Sequence, residues 1–220
     1  MKNILKLITS LATLIASTAI HAQRSVYDEP HHKIVFENKY VRLLDLALQP
    51  GDTTLEHTHR AASAVVFMTH SKVAIKDAGK NAVITEVASG TAVYRPYDEQ
   101  PVLHTVWVED KQPFRCLVAE ILDTIHLSKT NDGLSGSAMQ LLWKQKLADA
   151  YNIQLSHSQS YTLQKSVYPY LLICISGKVQ SKYAGNKKML SGGEFVFFPD
   201  QQKVELSADG QSICVLIQLK

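Results

Sequence analysis

The chain has 220 residues, a formal net charge of +3 and a hydrophobic content of 45%, which is enough for a packed core. The first 22 residues contain Lys2 and Lys6 and no acidic residue, so the rest of the chain has a net charge of +1. This near-neutral balance gives no reason to expect a nucleic acid or an anionic membrane as a partner. The remaining length fits one domain or two small ones.

Residues 1–22 are predicted to form a secretion signal. Two lysines precede an apolar stretch over 7–20, and Ile20-His21-Ala22 provides a cleavage site before Gln23. An uncleaved anchor is the alternative, but the stretch is short and rich in Ser and Thr, so cleavage is favoured. We therefore expect a periplasmic or secreted protein that has no contact with a membrane after cleavage.

After a polar N-terminal arm over 23–37, short runs of strand-forming residues alternate with turns that contain Gly, Pro, Asn or Asp. These runs predict strands over 40–48, 64–68, 72–76, 82–87, 92–95, 102–108 and 114–122. With no convincing helix between them, they indicate an all-β sandwich or barrel. The range 139–150 is the exception, because its apolar spacing is compatible with a short helix.

Three histidines are the strongest indication of a site. His57 and His59 are two residues apart, so on a strand they point in the same direction. His104 lies in a second run of strand formers, and its imidazole could converge with theirs if the two strands pair. Neutral imidazoles are good ligands for divalent transition metals. A His-x-His pair alone is also common by chance on a protein surface, so the surrounding pattern matters.

That pattern resembles the cupin superfamily over about residues 38–125. Gly51 precedes the pair with the spacing Gly-x5-His-x-His, as in cupin motif 1, and Gly90-x5-Pro96 followed by His104 resembles motif 2. The resemblance implies a small jelly-roll β-barrel. It also implies a site for one divalent metal ion (Fe, Mn, Ni, Cu or Zn), held by His57, His59 and His104.

The resemblance departs from the usual motifs in two places. Motif 1 usually provides a Glu as a fourth ligand, three or four residues after the second His. Ser63 and Ala64 lie near that position here, and neither can replace the Glu. Motif 2 usually has a Gly two residues after its Pro, where this chain has Asp98. The resemblance thus implies at most a three-histidine site, and open coordination positions suit catalysis better than a closed structural role.

The second half of the chain resembles a degenerate repeat of the first. Gly193 to Pro199 echoes Gly90 to Pro96, and weaker echoes link 64–68 with 170–174 and 115–119 with 213–217. We therefore predict two cupin-type barrels in tandem, a bicupin. Its divisions are a signal peptide (1–22), an arm (23–37), a metal-binding cupin domain (38–125), a linker (126–145) and a degenerate cupin-like domain without a metal site (146–220).

The copy permits a comparison within one chain. By the offsets of these echoes, His57, His59 and His104 correspond to Leu163, Lys165 and Ser207. The turn-forming Gly and Pro are retained although the ligands are not. The histidines are therefore expected to serve a site rather than the stability of the barrel. His31-His32 in the arm could add an accessory ligand, but an arm that is mobile or pairs with a sheet edge is the favoured interpretation.

Side chains near Pro96 and on the last strand of the first domain are further candidates for the site. Tyr94, Arg95 and Tyr97 flank Pro96 and are the candidate catalytic residues, and Arg95 could bind a substrate carboxylate in bidentate fashion or be a surface residue of an edge strand. Glu120 could lie behind the metal ligands or at an exposed edge. The three cysteines (Cys116, Cys174 and Cys214) lie in apolar runs and are expected to be buried. An oxidising compartment permits one disulfide, which the sequence cannot assign.

Two functions remain open for such a chain. The first is a metal-dependent oxidoreductase of the dioxygenase type that acts on a small polar or phenolic molecule. The second is a non-catalytic module that binds a sugar, another small molecule or a metal ion. In both, the partner is a small-molecule ligand, and a homodimer is compatible with the sequence.

Overall fold

A computed structural model describes residues 23–123 and 134–220, and almost all regular structure in these ranges is β-strand. A 3-10 turn at Val26–Asp28 precedes the first strand. The strands of the first half are β1 (His32–Glu37), β2 (Val41–Leu48), β3 (His57–His59), β4 (Ser63–Phe67), β5 (Ser71–Asp77), β6 (Val83–Val87), β7 (Ala92–Arg95), β8 (Val102–Val108) and β9 (Phe114–Ile121). Those of the second half are β10 (Met139–Lys144), β11 (Ala148–Leu155), β12 (Ser160–Leu163), β13 (Tyr170–Ser176), β14 (Lys178–Tyr183), β15 (Asn186–Ser191), β16 (Phe195–Phe198), β17 (Val204–Ala208) and β18 (Ser212–Leu219).

The strands form four antiparallel sheets, two in each half. In the first half the orders are β1-β2-β9-β4-β7 and β3-β8-β5-β6. In the second half they are β10-β11-β18-β13-β16 and β12-β17-β14-β15. Adding nine to each strand number of the first half gives the second half, so both halves are jelly rolls of the same topology. The predicted all-β fold of two small barrels in tandem is confirmed.

Strand register shows that the repeat extends to single residues. β1 has a bulge between Ile34 and Phe36, and β10 has one between Leu141 and Trp143, at the equivalent place. On β4 the register corrects the echo seen in the sequence by one residue. Ser63, which pairs with Arg95, corresponds to Tyr170, which pairs with Phe198. Such a slip matters because it moves every side chain to the other face of the sheet.

The hydrophobic core has three layers. One fills the first barrel between its two sheets and includes Leu44, Val106 and Val118. A second fills the other barrel and includes Leu172, Val179 and Leu216. The third lies between the two five-stranded sheets, where residues of both halves pack face to face. The inner strands β9, β13 and β18 of these sheets are buried on both faces, which accounts for their nearly continuous apolar sequences.

Specific contacts also join the two halves across this third layer. The ring of Phe36 lies 5.8 Å from that of Phe197, and the indole Nε1 of Trp143 donates a hydrogen bond of 3.0 Å to the carbonyl of Ala92. Arg115 forms a bidentate pair with Asp45 and packs against Gly193, where a Cβ would lie only 2.4 Å from its guanidinium. The interface between the halves therefore depends on specific contacts and close fit as well as on buried apolar area.

The helix expected over 139–150 is wrong, because β10 and β11 occupy that range and pair with each other. β10 also lies inside the predicted linker, as the edge strand of a sheet. The predicted signal peptide and residues 124–133 lie outside the described residues. Among the described residues, no helix has the length and apolar character needed to cross a membrane.

Candidate metal centre

Three histidines converge at one end of the first barrel. β3 pairs with β8 so that His57 lies directly opposite His104, and His59 points to the same side from the other end of β3. The Nε2 atom of His57 lies 3.2 Å from the Nε2 of His59 and 3.2 Å from that of His104. All three residues are at most 7% exposed. The predicted convergence of three imidazoles is therefore present in the structure.

Hydrogen bonding and burial set the protonation of these rings. The Nδ1 of His57 donates to the carbonyl of Leu55 at 2.7 Å, which leaves its Nε2 lone pair directed at the other two rings. Burial lowers the pKa of His57 to about 4, that of His104 to about 3 and that of His59 to about 2. All three are neutral near pH 7, the state in which an imidazole can bind a metal.

A fourth histidine, His32, joins the cluster from the start of β1. Its ring centroid lies 4.6 Å from that of His57 and 5.6 Å from that of His59. His32, His57 and His59 each offer a ligand atom within 4.8 Å of the others. The arm is thus paired with the sheet edge, as expected, and it also brings a histidine to the site.

Glu29 fixes the position of His32. Its buried carboxylate accepts a hydrogen bond of 2.7 Å from Nδ1 of His32, another from Nδ1 of His31, and a third from the backbone N–H of Leu55. Burial alone would raise the pKa of Glu29, but the hydrogen bonds from His32 and His31 outweigh it and lower the pKa to about 2. A carboxylate behind a histidine orients the ring and makes it a stronger ligand.

The geometry of the cluster fits a transition-metal ion. Nitrogens bound to one ion at about 2.1 Å lie roughly 3.0–3.4 Å apart at tetrahedral or octahedral angles. The two Nε2 separations of 3.2 Å lie within that range. The single Nε2 lone pair of His57 cannot accept good hydrogen bonds from both of its neighbours. The Nδ1 of His59 is buried and has no hydrogen-bond partner within residues 23–123 and 134–220. A cation among the rings would satisfy the converging lone pairs.

A cavity of about 90 Å³ extends from the histidines into the barrel. His32, His59, His104, Arg95 and Tyr97 line its outer end. Beyond them the wall is almost entirely apolar, with Leu46, Val65, Phe67, Val73, Ile75, Val87, Val93, Val106, Phe114, Cys116 and Val118. The cavity therefore fits a small molecule with a polar group near the histidines and an apolar body in the barrel.

Arg95 and Tyr97 lie at the entrance. Both line the inner cavity and also an outer space of about 320 Å³ that includes Asp77 and Lys80. The Tyr97 ring stacks on His59 at 5.1 Å between centroids. Within the described residues, no carboxylate lies at ion-pair distance from Arg95. Its charge is therefore available to a ligand.

Two other candidates lie elsewhere. Tyr94 points away from the cavity, because it alternates along β7 with Val93 and Arg95, and its ring packs on Trp143 in the layer between the halves. It is therefore removed from the candidate catalytic residues. Glu120 is fully buried, and its carboxylate binds the Tyr27 hydroxyl at 2.9 Å and Arg42 at 3.4 Å. The exposed-edge alternative is therefore wrong, and its hydrogen bonds go to Tyr27 and Arg42 rather than to a proposed metal ligand.

The equivalent place in the second barrel is filled with apolar side chains. On β12 and β17, the strands equivalent to β3 and β8, Leu163 lies opposite Val204, whereas Ser207 lies opposite Ser160. The offsets that matched His57 with Leu163 and His104 with Ser207 therefore do not fit the register, because His57 and His104 face each other directly. His32 pairs with Leu46 and Met139 pairs with Ile153, which makes Met139 the counterpart of His32. Leu163 and Val204 are buried, and Met139 packs against the same core.

His32 is the residue that the sequence alone underrated. The motif argument depends on spacing within β3 and on the paired strand β8, whereas His32 lies 25 residues before His57 in an arm that has no motif. The available signal was Glu29, a carboxylate three residues before a histidine at the start of a strand. That signal is weak, because acidic residues near histidines are common on surfaces.

Comparison with known proteins supports the fold. No family model matches the chain, and no curated protein matches its sequence. Among solved structures, it is similar to YhaK from Escherichia coli (19% identity, 85% of this chain and 90% of that chain, TM-score 0.57). It is also similar to AerE from Microcystis aeruginosa (12%, 87% and 98%, 0.62) and to salicylate 1,2-dioxygenase from Pseudoaminobacter salicylatoxidans, in a structure of its adducts with gentisate (11%, 84% and 70%, 0.61). The chain has the cupin fold.

Proposed function

We propose that the protein binds one divalent transition-metal ion in the first barrel and acts there on a small molecule with a polar group and an apolar or phenolic body. His57, His59, His104 and His32 are the proposed ligands. The reaction class that the site supports best is oxygenation of the dioxygenase type. The observation on which this proposal depends is the convergence of the neutral histidine nitrogens, with spacings of 3.2 Å, at the end of an apolar cavity.

The nitrogen ligands limit the range of metal ions that the site can bind. Imidazole nitrogens suit Fe, Mn, Ni, Cu and Zn, whereas Mg²⁺ and Ca²⁺ prefer oxygen ligands. A metal held by histidines with open positions can bind an oxygen-containing substrate and, in the case of Fe(II), activate O₂. His57 and His32 are each tied at Nδ1, to Leu55 and Glu29, so both rings are oriented before any ion binds.

Other side chains of the cavity would position the substrate. The guanidinium of Arg95 can bind a carboxylate in bidentate fashion, and the Tyr97 ring can pack against the substrate at the entrance. The apolar wall beyond them excludes water and accepts an aromatic ring. An aromatic hydroxy acid has both features, and the similarity to a salicylate dioxygenase crystallised with gentisate supports that class of substrate.

A non-catalytic binding module is the second candidate function. The supporting observation is that none of the described residues lining the inner cavity is an Asp or a Glu. A bound ligand would therefore meet no carboxylate base. Such a protein would bind the same metal and the same class of small molecule without turning it over.

The two candidates differ in O₂ uptake. The purified protein is analysed for metal, loaded with Fe(II), Mn(II) or Ni(II), and supplied with gentisate, salicylate or catechol. Dioxygenase function predicts O₂ consumption coupled to loss of the ring absorbance, and this activity should disappear in His59→Ala. The matched control is His70→Ala, which changes a largely exposed histidine away from the cluster. Stoichiometric metal with ligand binding but no O₂ uptake would favour the binding module, and no metal in any preparation would contradict both.

The proposed location is the periplasm or the exterior of the cell. The supporting observation is the N-terminal pattern of lysines, apolar stretch and small-residue site before Gln23. N-terminal sequencing of the exported protein should find a start at or near Gln23. A soluble cytosolic pool that retains Met1 would contradict export.

A further inference from the structure

The second barrel contains a pair of cysteines on neighbouring strands. Cys174 on β13 lies directly opposite Cys214 on β18, and both side chains belong to the core of that barrel. Their exposed fractions are 0% and 1%. Both thiols are free in the structure. The pair is far in sequence, since 40 positions separate the two residues, and near in space because the register of the sheet brings them together.

Backbone hydrogen bonds define the kind of pair they form. The N–H of Cys174 donates to the carbonyl of Glu194, and its own carbonyl accepts from Gly193, so both backbone groups are directed away from β18. Cys174 and Cys214 are therefore a non-hydrogen-bonded pair of an antiparallel ladder. Such pairs have Cα atoms about 4.5 Å apart and the closer side chains. Disulfides span Cα separations of roughly 4.4–6.8 Å.

The two thiols also interact with each other. Hydrogen bonding with Cys214 lowers the pKa of Cys174, and the same interaction, together with burial, raises the pKa of Cys214. The Cys174 Sγ has a weak contact of 3.6 Å with the carbonyl of Ser176 as well. The opposed positions on β13 and β18 place both thiols side by side in the same buried core.

We propose that Cys174 and Cys214 form an intrachain disulfide by exchange with a disulfide-bearing oxidant, either a small-molecule disulfide or an oxidoreductase. One thiolate attacks the oxidant disulfide, forms a mixed disulfide and releases one thiol of the oxidant. The second thiolate attacks the mixed disulfide, forms the Cys174–Cys214 bond and releases the other thiol. Two electrons and two protons pass to the oxidant. Because both sulfurs are buried, exchange occurs before β18 closes on β13 during folding.

The first barrel provides an internal control. Cys116 occupies the position on β9 that Cys214 occupies on β18, but the residue opposite it is Phe67, where the second barrel has Cys174. Cys116 lies in the core of the first barrel, and the two five-stranded sheets separate it from the other cysteines. It has no cysteine to pair with among the described residues, so it should remain a thiol.

The disulfide would join the neighbouring strands β13 and β18 of the second barrel and enclose the chain between Cys174 and Cys214 in a loop. This crosslink restricts the unfolded chain and should raise the melting temperature. The metal centre lies in the other barrel, so the inference is independent of the proposed function.

The test is a thiol count on the chain folded from its reduced, unfolded state. One sample is folded in a buffer of reduced and oxidised glutathione and one with excess reductant, and both are then denatured and alkylated with N-ethylmaleimide. We expect three alkylated cysteines in the reduced sample and one, Cys116, in the oxidised sample, with a tryptic peptide that links Cys174 to Cys214. Oxidised C116S should show no alkylated cysteine, and oxidised C214S should show two or a glutathione adduct.

The oxidised wild-type protein should also melt at a higher temperature than the reduced protein, whereas oxidised and reduced C214S should melt alike. Three alkylated cysteines in the folded, oxidised wild type would overturn the inference. So would a disulfide that includes Cys116. Since C116S retains the proposed pair in a chain with only two thiols, it gives a clear result even if Cys116 reacts slowly for other reasons.

Discussion

The two barrels of this chain have the same topology, but one has polar histidines in its interior and the other has an apolar interior. The first contains four buried histidines, His32, His57, His59 and His104, three of which line a cavity. In the second barrel, Met139 is the counterpart of His32, and the β12–β17 pair of Leu163 and Val204 packs into the core. Lys165, which the sequence echoes matched with His59, is exposed. The same arrangement of strands is therefore stable with or without the polar cluster.

This difference separates the fold from the site. Burying neutral imidazoles without full hydrogen bonding is unfavourable, and the Nδ1 of His59 has no hydrogen-bond partner among the described residues. The second barrel avoids this cost with aliphatic side chains on the equivalent strands. The first barrel retains its histidines although the same topology forms without them in the second, which is what a binding site would explain.

The largest expected effect is that the first barrel loses its solubility or its metal binding when it is expressed alone. A fragment of residues 23–130 contains every proposed ligand but exposes the face of β2, β9 and β4 that packs on the second half. An exposed apolar sheet face promotes association. We expect the fragment to aggregate, or to bind metal much more weakly than residues 23–220, as judged by gel filtration and metal analysis. A soluble monomeric fragment with full metal occupancy would show that the halves are independent.

The next largest effect is expected when the interior of the second barrel is transferred to the first. His57→Leu with His104→Val introduces the kind of buried apolar pair that Leu163 and Val204 form between the equivalent strands of the other barrel. We expect metal affinity to fall by more than about 100-fold, because two ligands are lost. The metal-free fold should persist, with a melting temperature at least equal to that of the metal-free parent. Unfolding of the double variant would show that the histidines serve the barrel itself.

A matched change in the second barrel provides the control. Lys165→Ala alters an exposed residue just after β12, which the sequence echoes matched with His59, and should leave metal content unchanged. Leu163→His with Val204→His would instead bury two imidazoles in an apolar core and should destabilise the chain. Any metal that this variant gained would have to be retained without an equivalent of Glu29.

A third prediction concerns the pH dependence of the metal-free protein. The pKa values of His57, His104 and His59 fall from about 6.5 in the unfolded chain to about 4, 3 and 2 in the folded chain. Below pH 6.5 the unfolded state therefore binds more protons, and stability decreases as the pH falls towards the folded pKa values; above pH 6.5 these groups add no pH dependence. We expect a loss of at least about 1 kcal/mol per histidine between pH 7 and pH 5.

Denaturant unfolding after chelation measures this slope. The variant with His57→Leu and His104→Val should show a clearly shallower decrease over the same pH range, because two of the three histidines are absent. Equal slopes in parent and variant would mean that these histidines bind protons equally in both states. In that case their burial would not be the reason for the contrast between the barrels.

The sequence predicted most of the fold because its signals are local. Short alternating runs, turn residues and the Gly-x5-Pro spacing identify β4 to β9 nearly to their ends, and the repeated pattern indicates the second barrel. The expected helix failed over 139–150, since β10 is an amphipathic edge strand whose spacing is ambiguous without its partner β11. The echoes aligned β4 and β13 one residue out of register, because sequence similarity alone does not show the hydrogen-bonded partners.

For the site, the sequence predicted the residues that a motif places on paired strands and gave only second place to a role for His32, which depends on tertiary structure. His57, His59 and His104 follow from spacing, but the approach of His32 depends on how the 3-10 turn and β1 pack across the end of the barrel. The expectation that Tyr94 belongs to the site differs from the structure for a related reason. Its face of β7 is buried against the second half, and no local pattern distinguishes that face from the cavity face.

The smallest expected effect on metal affinity comes from changing Glu29. This residue lies outside the cupin-like motifs and acts on the site only through the residues that it holds in place. Glu29→Gln keeps the size of the side chain and removes its charge. The carboxylate now accepts hydrogen bonds from both His31 and His32 and from the N–H of Leu55, the residue whose carbonyl orients His57. An amide has one acceptor oxygen instead of two, so at least one of these bonds must be lost. Changes of this kind behind a metal ligand usually weaken metal binding by about 10–100-fold.

Glu37→Gln is the control, since Glu37 lies at the far end of β1 from His32, is exposed and pairs with Arg42. Competition titration with a chromophoric chelator should give a weaker dissociation constant for Glu29→Gln and an unchanged one for Glu37→Gln. If the pair His57 and His104 holds the metal without help from the arm, both variants should match the parent. His32 would then be a packing residue, and the contrast between the two barrels would depend on the β3–β8 pair alone.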